Sequence, residues 1–301
     1  MTIKSTKNKP KILVILGPTA SGKSALAVKL ARKYNGEVIS ADSRQVYKGL
    51  NIGTGKITKK EMLGIPHHLL DIVSPKETFN VVDWKKLTDK AINDILNRGK
   101  LPIICGGTGF YIQSIVDGIV LPEVAPNKEL RKKLETKNLE ELVTILKKMD
   151  PERIKNIDTK NKVRLVRAIE IAKTLGSVPN LKKVKPPYDV IQIGLMADDE
   201  DLKKKIKNRL VSRIKKGMIM EALNLHAVGL SYKRMRELGL EYKFLADFLE
   251  KKITKSDFMK NLETEIWRYS KRQMTWFKRD KSIKWLLKEK DVIAELNYWL
   301  T

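Results

Sequence analysis

The sequence predicts an α/β fold: a parallel sheet of the phosphate-loop type flanked by helices, with a helical insertion and a helical carboxyl-terminal region. Three observations carry this. KILVIL (11–16) and LPIICGG (101–107) are unbroken apolar runs, as strands buried on both faces are. Stretches of helical spacing lie between such runs. A glycine-rich segment, Gly-Pro-Thr-Ala-Ser-Gly-Lys-Ser, follows the first run directly.

In chain order, KILVIL is bounded by Gly17 and reads as the first strand. SALAVKLARKY (24–34) has helical spacing, and EVISAD (37–42) is a second strand ending in polar residues. VDWKKLTDKAINDILNRGK (82–100) is an amphipathic helix ending near Gly99, and LPIICGG is a further buried strand. This alternation implies a parallel sheet with helices on both faces. Ligands of such sheets sit beyond the carboxyl ends of the strands. Gly17–Ser24, Asp42–Gln45 and Gly106–Thr108 are therefore expected to converge on one crevice. Pro122 and Pro126 mark a turn, after which helical periodicity runs to a loop at 177–187. YDVIQIGLMA (188–197) returns to strand and is expected to rejoin the sheet. Amphipathic stretches follow at 199–227 and 255–278. The expected division is a core over 1–119, a helical insertion over 120–187, and core completion with a basic helical region over 188–301.

The net charge is +26, from 61 Lys and Arg against 35 Asp and Glu. A solvated basic surface and a polyanion partner both fit this balance. The single cysteine, Cys105, excludes a disulfide within the chain and a multi-cysteine metal site, and a reducing cytoplasm is expected. The opening MTIKSTKNKP lacks the apolar core of a signal peptide. No run is long and apolar enough for a membrane helix. His67 and His68 are adjacent, so in a strand they point to opposite faces, which argues against a shared metal.

Gly17-Pro18-Thr19-Ala20-Ser21-Gly22-Lys23-Ser24 fits G-x-x-x-x-G-K-[ST]. Backbone amides and a helix N-terminus of such a loop surround phosphate oxygens, Lys23 adds a charge, and the Ser24 hydroxyl can reach Mg2+. The loop suits a diphosphate-like group without saying whose. Typical nucleoside triphosphatases add a carboxylate at the end of an apolar strand. Here that place holds Gly106, Gly107 and Thr108, and the nearest strand-end carboxylate is Asp42. Asp42 reads either as a cap or turn residue or as a general base beside the phosphates.

GPTASGKS, ISADSRQVYKGLNIGTGK, PHHLLDI, GGTGFY, RLVRAIEI and WRYSKRQMTWFKRD occur in that order. Together they resemble the bacterial tRNA dimethylallyltransferases, or tRNA isopentenyltransferases, over about residues 11 to 286. The resemblance implies that the loop holds the diphosphate of dimethylallyl diphosphate, with no triphosphate consumed. It implies prenyl transfer to the exocyclic amine of the adenosine on the 3′ side of the anticodon. Asp42 would be the general base, and Lys23 with Arg209 would stabilise the departing diphosphate, Mg2+ assisting through Ser24. In KKKIKNRLVSRIKKG either Arg209 or Arg213 could be that arginine, Arg209 matching better. Asp42, Ser43, Arg44, Gln45 and Thr108 would line the pocket for the flipped base. Arg131, Arg164 and Arg167 of the insertion, and Arg268, Lys271, Arg272 and Gln273 of the basic segment, would hold the tRNA anticodon arm. The family's usual Asn-Asp ahead of the insertion's last helix reads Lys160-Asn161 here, where Asn161 can cap the helix. The expected protein is monomeric, with no obligate protein partner and no membrane attachment.

The same residues argue against other classes. A free adenine-nucleotide prenyltransferase needs neither the insertion nor the basic carboxyl-terminal region. A small-molecule kinase would need the missing strand-end carboxylate. An RNA-binding module with a vestigial loop would not need Gly22-Lys23-Ser24 intact beside Asp42.

Overall fold

The computed structural model describes residues 9–301. The amino-terminal stretch read as lacking a signal core lies, up to residue 8, outside the described residues. In chain order the elements begin β1 Lys11–Leu16, α1 Lys23–Lys33, β2 Gly36–Ala41, α2 Lys59–Met62, β3 His67–His68, α3 Val81–Asn97, β4 Leu101–Gly106 and α4 Gly109–Val116. There follow β5 Ile119–Val120, α5 Lys128–Glu135, α6 Leu139–Met149, α7 Pro151–Asn156, α8 Lys162–Leu175 and β6 Lys182–Lys183. The chain ends with β7 Asp189–Leu195, α9 Asp199–Lys215, α10 Met218–Ala227, α11 Tyr232–Glu237, α12 Leu240–Leu249, α13 Lys255–Phe277, β8 Lys284–Leu286 and α14 Glu289–Leu300. These form two compact units: one takes the chain up to Asp117 and again from Lys185, the other is Gly118–Val184.

The first unit is built on a six-stranded sheet ordered β3-β2-β4-β1-β7-β8, with every pairing parallel. β1, β2 and β4 are buried along almost their whole length. That is why they read as unbroken apolar runs rather than alternating ones. β7 pairs with β1 from Lys11 opposite Asp189 to Leu16 opposite Gly194, so the chain does return to the sheet after the insertion. One face packs Ile12, Val14, Leu16, Ile39 and Ile104 under α3, α4, α9 and α13, and the other packs Leu13, Ile15, Ile103 and Ile193 under α1 and α14. Helix starts carry their own signals. Asn80 and Asp83 form a reciprocal cap on α3, as Thr254 and Asp257 do on α13. The stretch 199–227 is two helices rather than one. Gly217 breaks it with a left-handed φ of 96°, which an L side chain rarely adopts.

The second unit packs α5, α6 and α8 around Leu134, Leu142, Leu146, Leu165 and Ile169. The 177–187 loop contains β6, which pairs antiparallel with β5. Asn161 caps α8 by accepting from the Arg164 amide.

The sheet's far end from the loops holds Glu37, 2% exposed. Its carboxylate meets His68 at 2.7 Å, Arg98 at 2.7 Å and Lys100 at 2.8 Å. His67 turns away, with its Nδ1 2.8 Å from the Ile65 carbonyl. Burial works to raise the Glu37 carboxyl, but the bonds from Lys100, His68 and Arg98 prevail and lower it to about 2. A carboxylate held below its unfolded value stabilises the fold above that unfolded value and loses this as pH falls through the folded one. Glu37→Gln should therefore cost about 3 kcal/mol at neutral pH. In denaturant titrations the gap from the parent should close as pH falls from the ordinary carboxylate range towards about 2.

Candidate active site

The loop after β1 wraps the start of α1. Gly17 has φ of 151°, and a Cβ there would lie 3.0 Å from the Leu195 carbonyl oxygen, so the close approach of β7 requires glycine. Ala20 is left-handed at φ 63°, and Gly22, at φ 88°, opens α1 with no side-chain cap. The amides of Gly22, Lys23 and Ser24 consequently donate to no protein group among the described residues. Lys23 Nζ folds back to the Pro18 carbonyl at 2.9 Å, the Ser21 amide also bonds Pro18 O, and the buried Ser21 hydroxyl has no partner among the described residues. Burial pulls the Lys23 ammonium below its ordinary range; the Arg209 charge adds to this, while Cys105 and Asp42 oppose it.

Asp42 follows β2 directly. Its Oδ1 accepts from the amides of Arg44 at 2.8 Å and Gln45 at 3.2 Å, an Asx-type turn. Oδ2 accepts no hydrogen bond among the described residues. Thr108, after β4, ties this turn down: its amide donates to Ala41 O at 3.1 Å and its Oγ1 accepts from the Ser43 amide at 3.1 Å. Arg44 lies against Gly239, where a Cβ would come within 2.9 Å of Nε. Gln45 is half-buried and its backbone carbonyl takes the Asp71 amide. The three segments expected to converge do so.

A cavity of about 600 Å³ opens beside the loop. Lys23, Ser24 and Arg209 give it a cationic and polar side, while Val28, Ile57 and Leu63 give it an apolar one. Arg209 donates to Gly55 O at 2.9 Å. Arg213, one turn on, is 8% exposed and is held by Gly53 O at 2.6 Å and Glu241 at 3.1 Å. Of the two candidate arginines, Arg209 therefore lines the cavity, while Arg213 is buried against Gly53 and Glu241. Burial, then Arg213, push the Arg209 guanidinium down from its ordinary value.

Sequence reasoning missed what holds the NIGTGK segment. Glu221 accepts the amides of Asn51 at 2.9 Å, Ile52 at 2.7 Å and Gly53 at 2.9 Å, plus the Tyr242 hydroxyl at 2.6 Å. Lys56 bonds Tyr47 O, Asn51 and Asp71. Gly53 and Gly55 are the visible trace: a Cβ would strike Tyr242 at 2.7 Å and Arg209 at 2.2 Å respectively.

On α13, Arg268, Lys271 and Arg272 are exposed; Arg268 pairs with Glu265, Lys271 meets Asp199 at 2.6 Å, and Arg272 lies over Tyr269. Gln273 differs from the expectation of a tRNA contact. It is 7% exposed, its Oε1 accepts the Thr19 amide at 2.8 Å, and its Nε2 donates to Gly107 O at 2.9 Å. In the second unit, Arg131 grips buried Glu170 with two bonds of 2.7 Å, and Arg167 meets Glu170 at 3.3 Å and Val124 O at 2.8 Å. Both are committed to Glu170 while staying partly exposed, and Arg164, 3.8 Å from Asp158, is the most exposed of the three. Among the described residues there is no cluster of His, Cys, Asp and Glu suited to a metal ion, and no helix is long and apolar enough to cross a membrane.

Fold and site together define an α/β protein whose anion loop lines a cavity with a cationic and an apolar side, and whose strand-end carboxylate Asp42 acts electrostatically on Lys23 and Arg209 of that cavity. A family model described as IPP transferase matches residues 45–280. The chain is 42% identical over 293 residues to a tRNA dimethylallyltransferase 2 of Treponema denticola, covering 94% of this chain and 98% of that one. It is 41% identical over 295 residues to a tRNA dimethylallyltransferase of Staphylococcus aureus, covering 94% of each. Among solved structures, a tRNA isopentenylpyrophosphate transferase of Bacillus halodurans superposes with a TM-score of 0.72 at 35% identity, over 97% of this chain and 96% of that one. A eukaryotic dimethylallyltransferase acting on tRNA gives 0.78 at 27% identity, over 92% and 73%. The chain belongs to the IPP transferase family.

The two arginines should separate in stability measurements. Arg213→Ala strands Gly53 O and Glu241 and should cost about 3 kcal/mol in the ligand-free protein. Arg209 is a desolvated cation beside another cation, with one hydrogen bond. Arg209→Ala should leave the thermal midpoint unchanged or raise it, as removal of a functional strain does.

Proposed function

We propose that this protein transfers a dimethylallyl group from dimethylallyl diphosphate to the exocyclic amine of the adenosine 3′-adjacent to the anticodon of tRNA, releasing diphosphate. What carries the reading is the pairing of a cationic, amide-lined anion loop with an apolar wall in one cavity, with the Asp42 carboxylate, one oxygen of which is free, near enough for its charge to act on Lys23 and Arg209. An allylic diphosphate has that same division between anionic head and short apolar tail. The relatives' names supply tRNA as the acceptor, and the motif resemblance supplies the adenosine.

The reaction breaks the bond between the allylic carbon and diphosphate oxygen and forms a bond from that carbon to the adenine nitrogen. Charge grows on the departing diphosphate, and fixed donors aimed at it lower the barrier. Lys23, Arg209 and the free amides of Gly22–Ser24 would serve there. Mg2+ fits the residues present: Ser24 lies exposed on the cavity wall, and magnesium characteristically takes few protein ligands and completes its shell with phosphate oxygens and water. When bound it would neutralise diphosphate charge. The adenine amine is a weak nucleophile, and Asp42 Oδ2 would take its proton as the new bond forms. Ser43, Arg44, Gln45 and Thr108 would border the extruded base, while Arg164, Arg268, Lys271 and Arg272 would meet tRNA phosphates. We take the protein to act as a cytoplasmic monomer.

Mass analysis of tRNA incubated with the protein, Mg2+ and dimethylallyl diphosphate should show one dimethylallyl addition at that adenosine without any nucleoside triphosphate. A tRNA-stimulated ATPase with no prenylated product would contradict the reading. Asp42→Asn keeps shape but cannot take a proton near neutrality. Its single-turnover rate should fall by about 10²–10⁴-fold with tRNA affinity little changed. A loss below about tenfold would remove Asp42 from the role of base.

A further inference from the structure

We infer that Gln273 is a positioning residue: from inside α13 it fixes the anion loop after β1 against the turn after β4, and so sets the donor against the base. The inference rests on the reading of the loop as the diphosphate site. Its geometry is independent of that reading. The Gln273 carbonyl oxygen takes the Thr19 amide at 2.8 Å, and its NH2 donates to Gly107 O at 2.9 Å. Both ends of one short side chain are thus tied to the two loops.

Three consequences follow. First, Gln273 withdraws the Thr19 amide from anion binding, as Pro18 O does that of Ser21, whereas Gly22, Lys23 and Ser24 keep theirs free. Second, the link continues to the base. Gly107 leads to Thr108, whose hydroxyl holds the Ser43 amide and whose own amide holds Ala41 O. Asp42 lies between those two residues, so loop and carboxylate share one hydrogen-bonded frame with Gln273 at its centre. Third, two of the three glycines of GGTGFY, Gly107 and Gly109, are explained by α13. A Cβ on Gly107 would lie 2.2 Å from Gln273 Nε2, and one on Gly109 would lie 2.3 Å from the Trp276 ring. GGTGFY and KRQMTWF are therefore two halves of one contact. Glutamate cannot replace Gln273, since its second oxygen would face Gly107 O with no proton between them.

The test uses Gln273→Met, which keeps length and packing without the bonds, and Gln273→Glu, which keeps only the Thr19 bond. Gly107→Ala is a second route, because it displaces the side chain without removing it. Three quantities are read in the full-length protein: the single-turnover prenylation rate at saturating substrates, calorimetric affinity for inorganic diphosphate with Mg2+, and tRNA affinity. All three variants should lose about tenfold to a hundredfold in rate, the scale of a small misplacement of reacting groups. Diphosphate affinity should weaken alongside, with tRNA affinity within about twofold of the parent, since tRNA is met elsewhere on α13. Weakened tRNA binding with rate at saturation unchanged would make Gln273 a nucleotide contact and overturn the inference. A lowered melting temperature with rate and diphosphate affinity intact would make it a packing residue and overturn it equally. Failure of the unmodified protein to bind diphosphate would instead overturn the donor reading itself, and is told apart because the parent fails.

Discussion

The site depends on how closely β2 and β4 run together at their carboxyl ends. A Cβ on Gly106 would lie 2.2 Å from Ala41 O, inside any permitted contact, so only glycine lets the strands finish side by side. Because they do, the next residues of each strand can bond to one another: Thr108 to Ala41, and Ser43 to Thr108. Asp42 is thereby held in a fixed turn. β1 lies on the other side of β4, so its loop arrives at the same edge. The strand order β2-β4-β1 thus carries a carboxylate and an anion loop to one place before any side chain is chosen.

That place is electrostatically costly. Lys23, Arg209 and Arg213 gather where water is scarce, and the first two are pushed below their ordinary values mainly by burial. The fold holds them with backbone acceptors: Pro18 O for Lys23, Gly55 O for Arg209 and Gly53 O for Arg213. The segment offering two of these carbonyls is itself fixed by the Glu221 carboxylate on three consecutive amides. Arg213 has a direct ion pair, with Glu241, whereas Lys23 and Arg209 are held by carbonyls, so a dianionic group bound between those two would relieve their mutual repulsion.

The sheet and the anion loop were legible because they depend on local pattern. Unbroken apolar runs mark doubly buried strands, and Gly17, Gly22 and Lys23 have one spacing that works. Asp42 was legible as a strand-end carboxylate. Gln273 was not: its amide could read a base or bond the backbone, and only the fold puts Thr19 and Gly107 at its two ends. The Glu170 pairing of Arg131 and Arg167 was hidden for a similar reason. Their partner, Glu170, is distant from Arg131 in sequence, and an arginine facing a buried carboxylate has the same local sequence as one facing phosphate. Glu221 left no trace of its own, since one carboxylate on a helix has no pattern. Its effect was visible only in the glycines it helps to hold.

The most direct measurement of the central claim is a crystal structure of the protein with a non-hydrolysable dimethylallyl diphosphate analogue and Mg2+. The diphosphate should lie on the amides of Gly22–Ser24, between Lys23 and Arg209, with the allylic carbon turned towards Asp42 Oδ2. An analogue seated away from this loop, or bound with its apolar tail pointing away from Asp42, would contradict it.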